Sequence, residues 1–303
     1  MGNYNSDYVD SAFALEGYMD MYNVSTADLK DNTLKAIVDK RGNGCVAGSD
    51  SKDRYEFVFI PNFGFLSSKD LLVKDCEVKL SFDRTTPTIP ILQKETVDAI
   101  TELEIQDCML IAEYSSSSLL RDRFTIDNPI TYEYEDIEVL VKKLDSASTN
   151  IRLDNIRGGN VPSYIFIGVI PSKNLQGDFT TSATQFEQNN VDEMSIMLNG
   201  NVVNGYPIRV DSGSPVFPMY KFFETTNRLC NVNCGSVTKF QEFRSNWLWA
   251  HKFEAEGSQG WISLNLKLKE AYEDAKPMSM VIWLITSASL TIDRFHQIEK
   301  RNL

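Results

Sequence analysis

The chain has 303 residues, 42% of them hydrophobic and 24% charged, a balance that suits one large all-β domain or two smaller ones. It is long enough to bury a core without help from metal or disulfides. Lys and Arg number 30 against 42 Asp and Glu, and the net charge of −12 repels a nucleic-acid backbone or an anionic membrane surface, so no direct nucleic-acid binding is expected.

The first residues, Met1-Gly2-Asn3-Tyr4-Asn5-Ser6, lack the basic, apolar and cleavage regions of a secretory signal. They fit the myristoylation pattern M-G-x-x-x-S at Gly2 and read equally well as a plain polar terminus. Helical periodicity follows at Ala12 to Met21 and at Asp28 to Lys40. Tyr55, Phe57 and Phe59 then alternate with other residues, as do Cys76, Val78, Leu80 and Phe82, and both runs predict half-buried strands. Leu103 and Ile105 alternate with Glu102 and Glu104, and the run turns apolar from Met109 to Ala112, which predicts a strand entering a covered region. Ile137, Val139 and Val141 repeat the alternating pattern.

Residues Ser163 to Ile170, bracketed by Pro162 and Pro171, predict a strand buried on both faces, with prolines where a ladder can stop. The strongest hairpin signal is Met194 to Leu198, then Asn199-Gly200, then Asn201 to Val203, because Asn-Gly tolerates positive φ at both turn positions. Val216 to Leu229 carries aromatic residues on overlapping helical faces. Ile262, Leu264, Leu266 and Leu268 alternate with polar residues, Pro277 introduces an apolar strand around Trp283, and Ser289 to Asp293 predicts a last strand. The best apolar run, Met280 to Ile285, is of strand length, far short of the roughly 18 to 20 residues of a membrane span, so no transmembrane segment is expected. Ten to twelve or so short strands with turn residues between them predict a sandwich or jelly roll with a few inserted helices.

Little in the sequence supports catalysis. The five cysteines, Cys45, Cys76, Cys108, Cys230 and Cys234, are odd in number and scattered, which points to a reducing compartment rather than a disulfide framework. Cys76 and Cys108 read as small core residues. Cys230 and Cys234 have loop-like spacing, but a zinc site needs about two further ligands and the only histidines are His251 and His296. A serine or cysteine nucleophile also needs an imidazole held by a carboxylate. Asp211-Ser-Gly-Ser214 reads as a turn before Pro215, because an aspartic protease requires a second such loop. Arg157-Gly158-Gly159, a single unit of an RNA-binding repeat, reads as a turn between strands. Glu102 with Glu104, and Asp136 with Glu138, place two carboxylates on one strand face, as any solvent-facing strand does. No catalytic, cofactor or metal residue is assigned. Asn23-Val24-Ser25 matches a glycosylation acceptor, which the cysteine usage leaves without a secretory context.

From Arg54 onward the order of these features resembles the double jelly-roll major capsid proteins of the Polinton (Maverick) and adintovirus type. The matching segments are Arg54 to Ile60, Pro61 to Phe65 and Leu71 to Arg84, then Ile105 to Leu110, which opens a second roll. They continue with Val161 to Ile170, a Gly177-Asp178 loop, Phe186, and Val191 to Gly200 with its Asn-Gly hairpin. Met219 to Phe223 is similar to the family's short aromatic helix, and Leu290 to Asp293 with Lys300 to Asn302 to its closing strand.

The resemblance implies an all-β jelly-roll sandwich, with a partial or truncated first roll and helical N-terminal segment in residues 1–95 and a complete roll in residues 96–303. A full double roll needs about sixteen strands, and residues 1–53 supply few candidates. It further implies a non-enzymatic capsid protein of a virion, made in the host cytoplasm or nucleus. Such a subunit self-associates into trimeric, pseudo-hexameric capsomers and meets penton or minor capsid proteins. The alternative is a sandwich binding module, such as a viral attachment or spike protein. Its recognition loops would lie at Gly42 to Asp53, Leu175 to Asn190 and Asn204 to Pro218.

Overall fold

The computed structural model describes residues 45–47, 53–55, 64–67, 77–81, 108–111, 129–176, 186, 190–210, 216–226, 247–254, 257–293 and 297–302. Strands β1 (Cys45–Ala47) and β2 (Asp53–Tyr55) form a short antiparallel pair, and a 3-10 turn follows at Gly64–Ser67. The main body contains β3 (Ile130–Lys143), β4 (Asn150–Asn160), β5 (Tyr164–Pro171), α1 (Ser172–Gln176), β6 (Val191–Leu198), β7 (Asn201–Val202) and β8 (Ile208–Arg209). It is completed by α2 (Val216–Thr225), β9 (Trp249–Lys252), β10 (Gln259–Leu268), β11 (Met278–Ile292) and β12 (Ile298–Asn302).

The strands make two antiparallel sheets. One runs β4, β10, β6, with β7 and β8 both on β6. In the other, β3 lines one edge of β11 from Ser279 to Ile292, while β5 and then β12 occupy the opposite edge end to end, with β9 outside β5. The successive strands β3, β4, β5 and β6, and later β9, β10 and β11, alternate between the sheets, the winding of a jelly roll. The fold is therefore an all-β sandwich, as the alternating patterns predict.

The core lies between the sheets. Ile262, Leu264, Leu266 and Leu268 of β10 meet Met278, Met280, Ile282 and Leu284 of β11 and Ile165, Ile167 and Val169 of β5, all buried. Period-2 spacing aims these side chains at one face, and removing each from water stabilises the sandwich by roughly 1.5 to 3 kcal/mol. The Asn-Gly hairpin forms as its turn chemistry dictates: Asn199 has φ 53° and Gly200 φ 81°, and the Asn199 side chain accepts from Trp261 N–H at 2.9 Å. β5 is covered on both faces between Pro162 and Pro171, and α2 begins with Pro218 in its first turn, where a missing N–H costs nothing.

Several expectations are corrected. Residues 77–81 and 108–111 carry no strand, because no neighbour supplies a ladder there among the described residues. Met109, Leu110 and Ile111 are exposed rather than covered, and Cys108 is an exposed free thiol rather than a core residue. Arg157-Gly158-Gly159 lies inside β4, paired to Ile262, Trp261 and Gly260, with Gly159 at φ 109°. The extra turn sits earlier, at Asn155 with φ 50°, whose N–H donates to Ser263 Oγ as the register slips between Ile262 and Leu264. Ser289 to Asp293 does not form a separate strand. It extends β11, since β3 pairs with β11 without a break, and the closing strand is β12.

The predicted helices at Ala12 to Met21 and Asp28 to Lys40 lie outside the described residues. So do Gly2, Asn23, Cys76, Glu102, Glu104, Asp211 to Ser214, Cys230, Cys234 and His296.

Candidate assembly surface

The outward face of the β3–β11–β5–β9 sheet is unusually apolar. Antiparallel register aligns its side chains in three rows: Ile137, Ile285, Tyr164 and Lys252; Val139, Trp283, Phe166 and Ala250; and Val141, Val281 and Gly168. A polar outer face would let this sheet stand in water, and an apolar one favours cover.

Two devices cover the β5 and β9 side. Phe186 lies over Gly168, where an added Cβ would meet its ring at 2.5 Å, and its ring packs edge-on to Trp283 at 5.2 Å. Its carbonyl accepts from Trp247 N–H at 2.6 Å, which fixes the segment before β9. Helix α2 packs against β9 and sets Phe222 edge-on to Phe166 at 6.0 Å. Its Lys221 reaches the Gly205 turn and pairs with Glu224 at 2.5 Å.

The β3 side is half exposed. Ile137, Val139 and Val141 are 52%, 52% and 54% exposed, while the even-numbered Tyr132 and Leu140 point to the core. The sequence pattern marks these three residues as one face of a strand, and the structure corrects the expectation that this face is the half-buried one. On the core side, Glu138 pairs with Arg157 of the other sheet at 2.6 Å, and Asp136 with Lys300 of β12 at 2.7 Å. Each carboxylate of this candidate pair is thus held by its own cation.

His251 of β9 points inward between the rings of Tyr206 at 5.7 Å and Phe253 at 4.9 Å. Burial, aided by the Lys221 charge and opposed by Glu224, lowers its pKa to about 4, so the imidazole is neutral at pH 7. Burial likewise pushes the Tyr206 hydroxyl well above the usual phenol range, and it donates to the Ala250 carbonyl at 3.0 Å. Both groups serve packing. Among the described residues no three His, Cys, Asp or Glu side chains gather as a metal site, and no helix is long and apolar enough to cross a membrane.

No family model matches the chain, and no curated protein matches it. Among solved structures it is similar to a chain of the Sputnik virophage, with 13% identity and TM-score 0.39 over 58% of this chain and 39% of that one. It is also similar to a chain of the PBCV-1 virus capsid, with 12% identity and TM-score 0.38 over 61% and 54%. The mavirus major capsid protein is similar at 9% identity and TM-score 0.36 over 62% and 44%. The chain spans between 39% and 54% of the length of these three.

Proposed function

We propose that this chain is a capsid structural protein of the Polinton and adintovirus type, non-enzymatic and built to self-associate in a virion shell. The observation that carries the reading is where the family-like motifs fall. Val161 to Ile170 runs into β5, Val191 to Gly200 is β6 with its Asn-Gly turn, Met219 to Phe223 lies in α2, and Leu290 to Asn302 spans the end of β11 and β12. The motif order is thus the order of elements around one sandwich.

Physical chemistry supports the same role. A jelly roll packs most of its strand edges into two sheets, which makes a rigid block whose sides can tile. An exposed apolar row on one side suits a subunit that buries it in a neighbour. In this reading residues 96–303 form the complete roll, residues 1–95 belong to a partial first roll, and the unit of assembly is a trimer that contacts penton or minor capsid proteins.

Light scattering across a concentration series, with negative-stain images of the same samples, tests the proposal. Trimers, rings or shells are expected. A strict monomer at every concentration that saturably binds a glycan or receptor would overturn it in favour of an attachment module.

A further inference from the structure

The other sheet has an exposed indole at its centre. Ile262 and Leu264 of β10 are buried in the core, so alternation turns Gln259 and Trp261 outward, and Trp261 is 48% exposed. Strand β10 is an inner strand, paired with β4 on one side and β6 on the other. From the β6 side the backbone of Trp261 is pinned: Asn199 N–H donates to its carbonyl at 3.0 Å, and the Asn199 side chain accepts from its N–H at 2.9 Å. On the β4 side its partner is Gly158, which leaves the space beside the indole to another group. Asn155 supplies it. Held at φ 50° by the bulge, it places Oδ1 3.2 Å from where a Cβ on Gly158 would stand, so its amide takes the place of the missing side chain. Two residues back along β10, Gln259 Nε2 donates to Asn160 Oδ1 at 2.5 Å. Among the described residues no hydrogen bond engages the Asn155 amide, and the Asn160 NH2 and the Gln259 carbonyl oxygen are likewise unused. Arg152 and Asp154, earlier on β4, are paired with each other at 2.7 Å, and Arg157 turns to Glu138, so none of the three brings a free charge to this cluster.

We propose that Trp261, with Asn155, Asn160 and Gln259 around it, binds a neutral saccharide, the pyranose ring of a hexose or N-acetylhexosamine lying on the indole. The chemistry of the set selects this class. A pyranose ring has an apolar C–H face bordered by hydroxyls, each both donor and acceptor. The indole offers a flat apolar surface, and each primary amide offers donors and an acceptor together. An aromatic platform with a few placed polar groups is the usual make-up of a small-ligand site. An anionic sugar or a phosphate would find no free cation in the cluster, and an apolar peptide would leave the amides unpaired. The bulge adds a second pointer, because it aims Asn155 at the one place beside the indole that Gly158 leaves empty. The site lies on a sheet face rather than on the loops, and it stands independently of the capsid reading.

Titration of the full chain with the methyl glycosides of glucose, galactose, mannose, N-acetylglucosamine and N-acetylgalactosamine tests the site, read by saturation-transfer NMR and tryptophan fluorescence. Saturable binding of at least one, with a dissociation constant of about 1 mM within a factor of ten, is expected. Trp261→Ala is expected to raise that constant more than about tenfold. Asn155→Gly keeps the left-handed turn and removes the amide, and is expected to raise it about three- to tenfold. Both positions are exposed, so unchanged denaturation midpoints confirm that each variant is folded. No saturable binding of any of the five overturns the site, as does binding that Trp261→Ala leaves unchanged. Methyl glucuronide or p-nitrophenol held as tightly as the best neutral glycoside also overturns it, by showing a charged or merely apolar preference. If Trp261→Ala instead abolishes self-association and no glycoside binds, the face is a contact between copies. Sugar binding by a chain that stays monomeric leaves the site standing and overturns the capsid reading, and assembly without sugar binding does the reverse.

Discussion

The alternating leucines of β10 and the alternating aliphatics of β3 have the same pattern and opposite fates. Ile262, Leu264, Leu266 and Leu268 are sealed between the sheets, whereas Ile137, Val139 and Val141 stand half in water. Alternation decides which side chains share a face. Whether that face is covered depends on what packs over it, and on the outer sheet Phe186 and α2 cover the β5 and β9 columns and stop short of β3.

The comparison breaks most visibly at Leu264. Leu264→Ala leaves a cavity at the centre of the core and is expected to cost about 2 to 5 kcal/mol in chemical denaturation. Val139→Ala, the same kind of truncation on the open face, is expected to change the stability of the single chain by less than about 0.5 kcal/mol. A large effect at Val139 in the monomer would mean that its face is covered after all.

The covered part of the outer face is sharpened by Gly168→Ala. The new methyl would stand 2.5 Å from the Phe186 ring, so the ring must leave its place over Val281 and Trp283. A loss of about 1 to 3 kcal/mol is expected, with a change in tryptophan fluorescence as Phe186 moves off Trp283.

A smaller effect is expected from acid. His251 binds its proton in the unfolded chain near pH 6.5 but in the folded chain only near 4, so the unfolded state holds more protons between these values. Stability is full above about pH 6.5 and declines as pH falls toward 4, and His251→Gln is expected to flatten that part of the pH profile of the denaturation midpoint. The least effect belongs to the ion pair between the sheets. Arg157→Ala removes a partner of the half-exposed Glu138 and is expected to cost no more than about 1 kcal/mol, less in high salt.

Much of the sandwich is legible in the sequence because its signals are local. The Asn199-Gly200 turn needs only two residues that accept positive φ, and β5 is marked as doubly buried by an unbroken apolar run between prolines. Helix α2 shows in the spacing of Phe217, Tyr220 and Phe223, although it ends at Thr225 rather than Leu229. The exposed face of β3 is less legible. Nothing near Ile137 tells that the even-numbered Tyr132 and Leu140 face the core, because β11, some 140 residues away in the chain, sets that choice through its register. Nor does the apolar run at Met109 to Ile111 reveal that it lies exposed, or the Ser289 segment that it continues β11.

The sequence by itself determined an acidic, all-β chain, its main strands, its hairpin and the motif order on which the capsid reading rests. These follow from side-chain period, turn chemistry and charge, which act within a few residues. Only the tertiary structure decided which face of each strand is inside and which rings close over the outer sheet. Those choices are made by pairing between segments far apart in the chain, where one residue of register exchanges the inside for the outside.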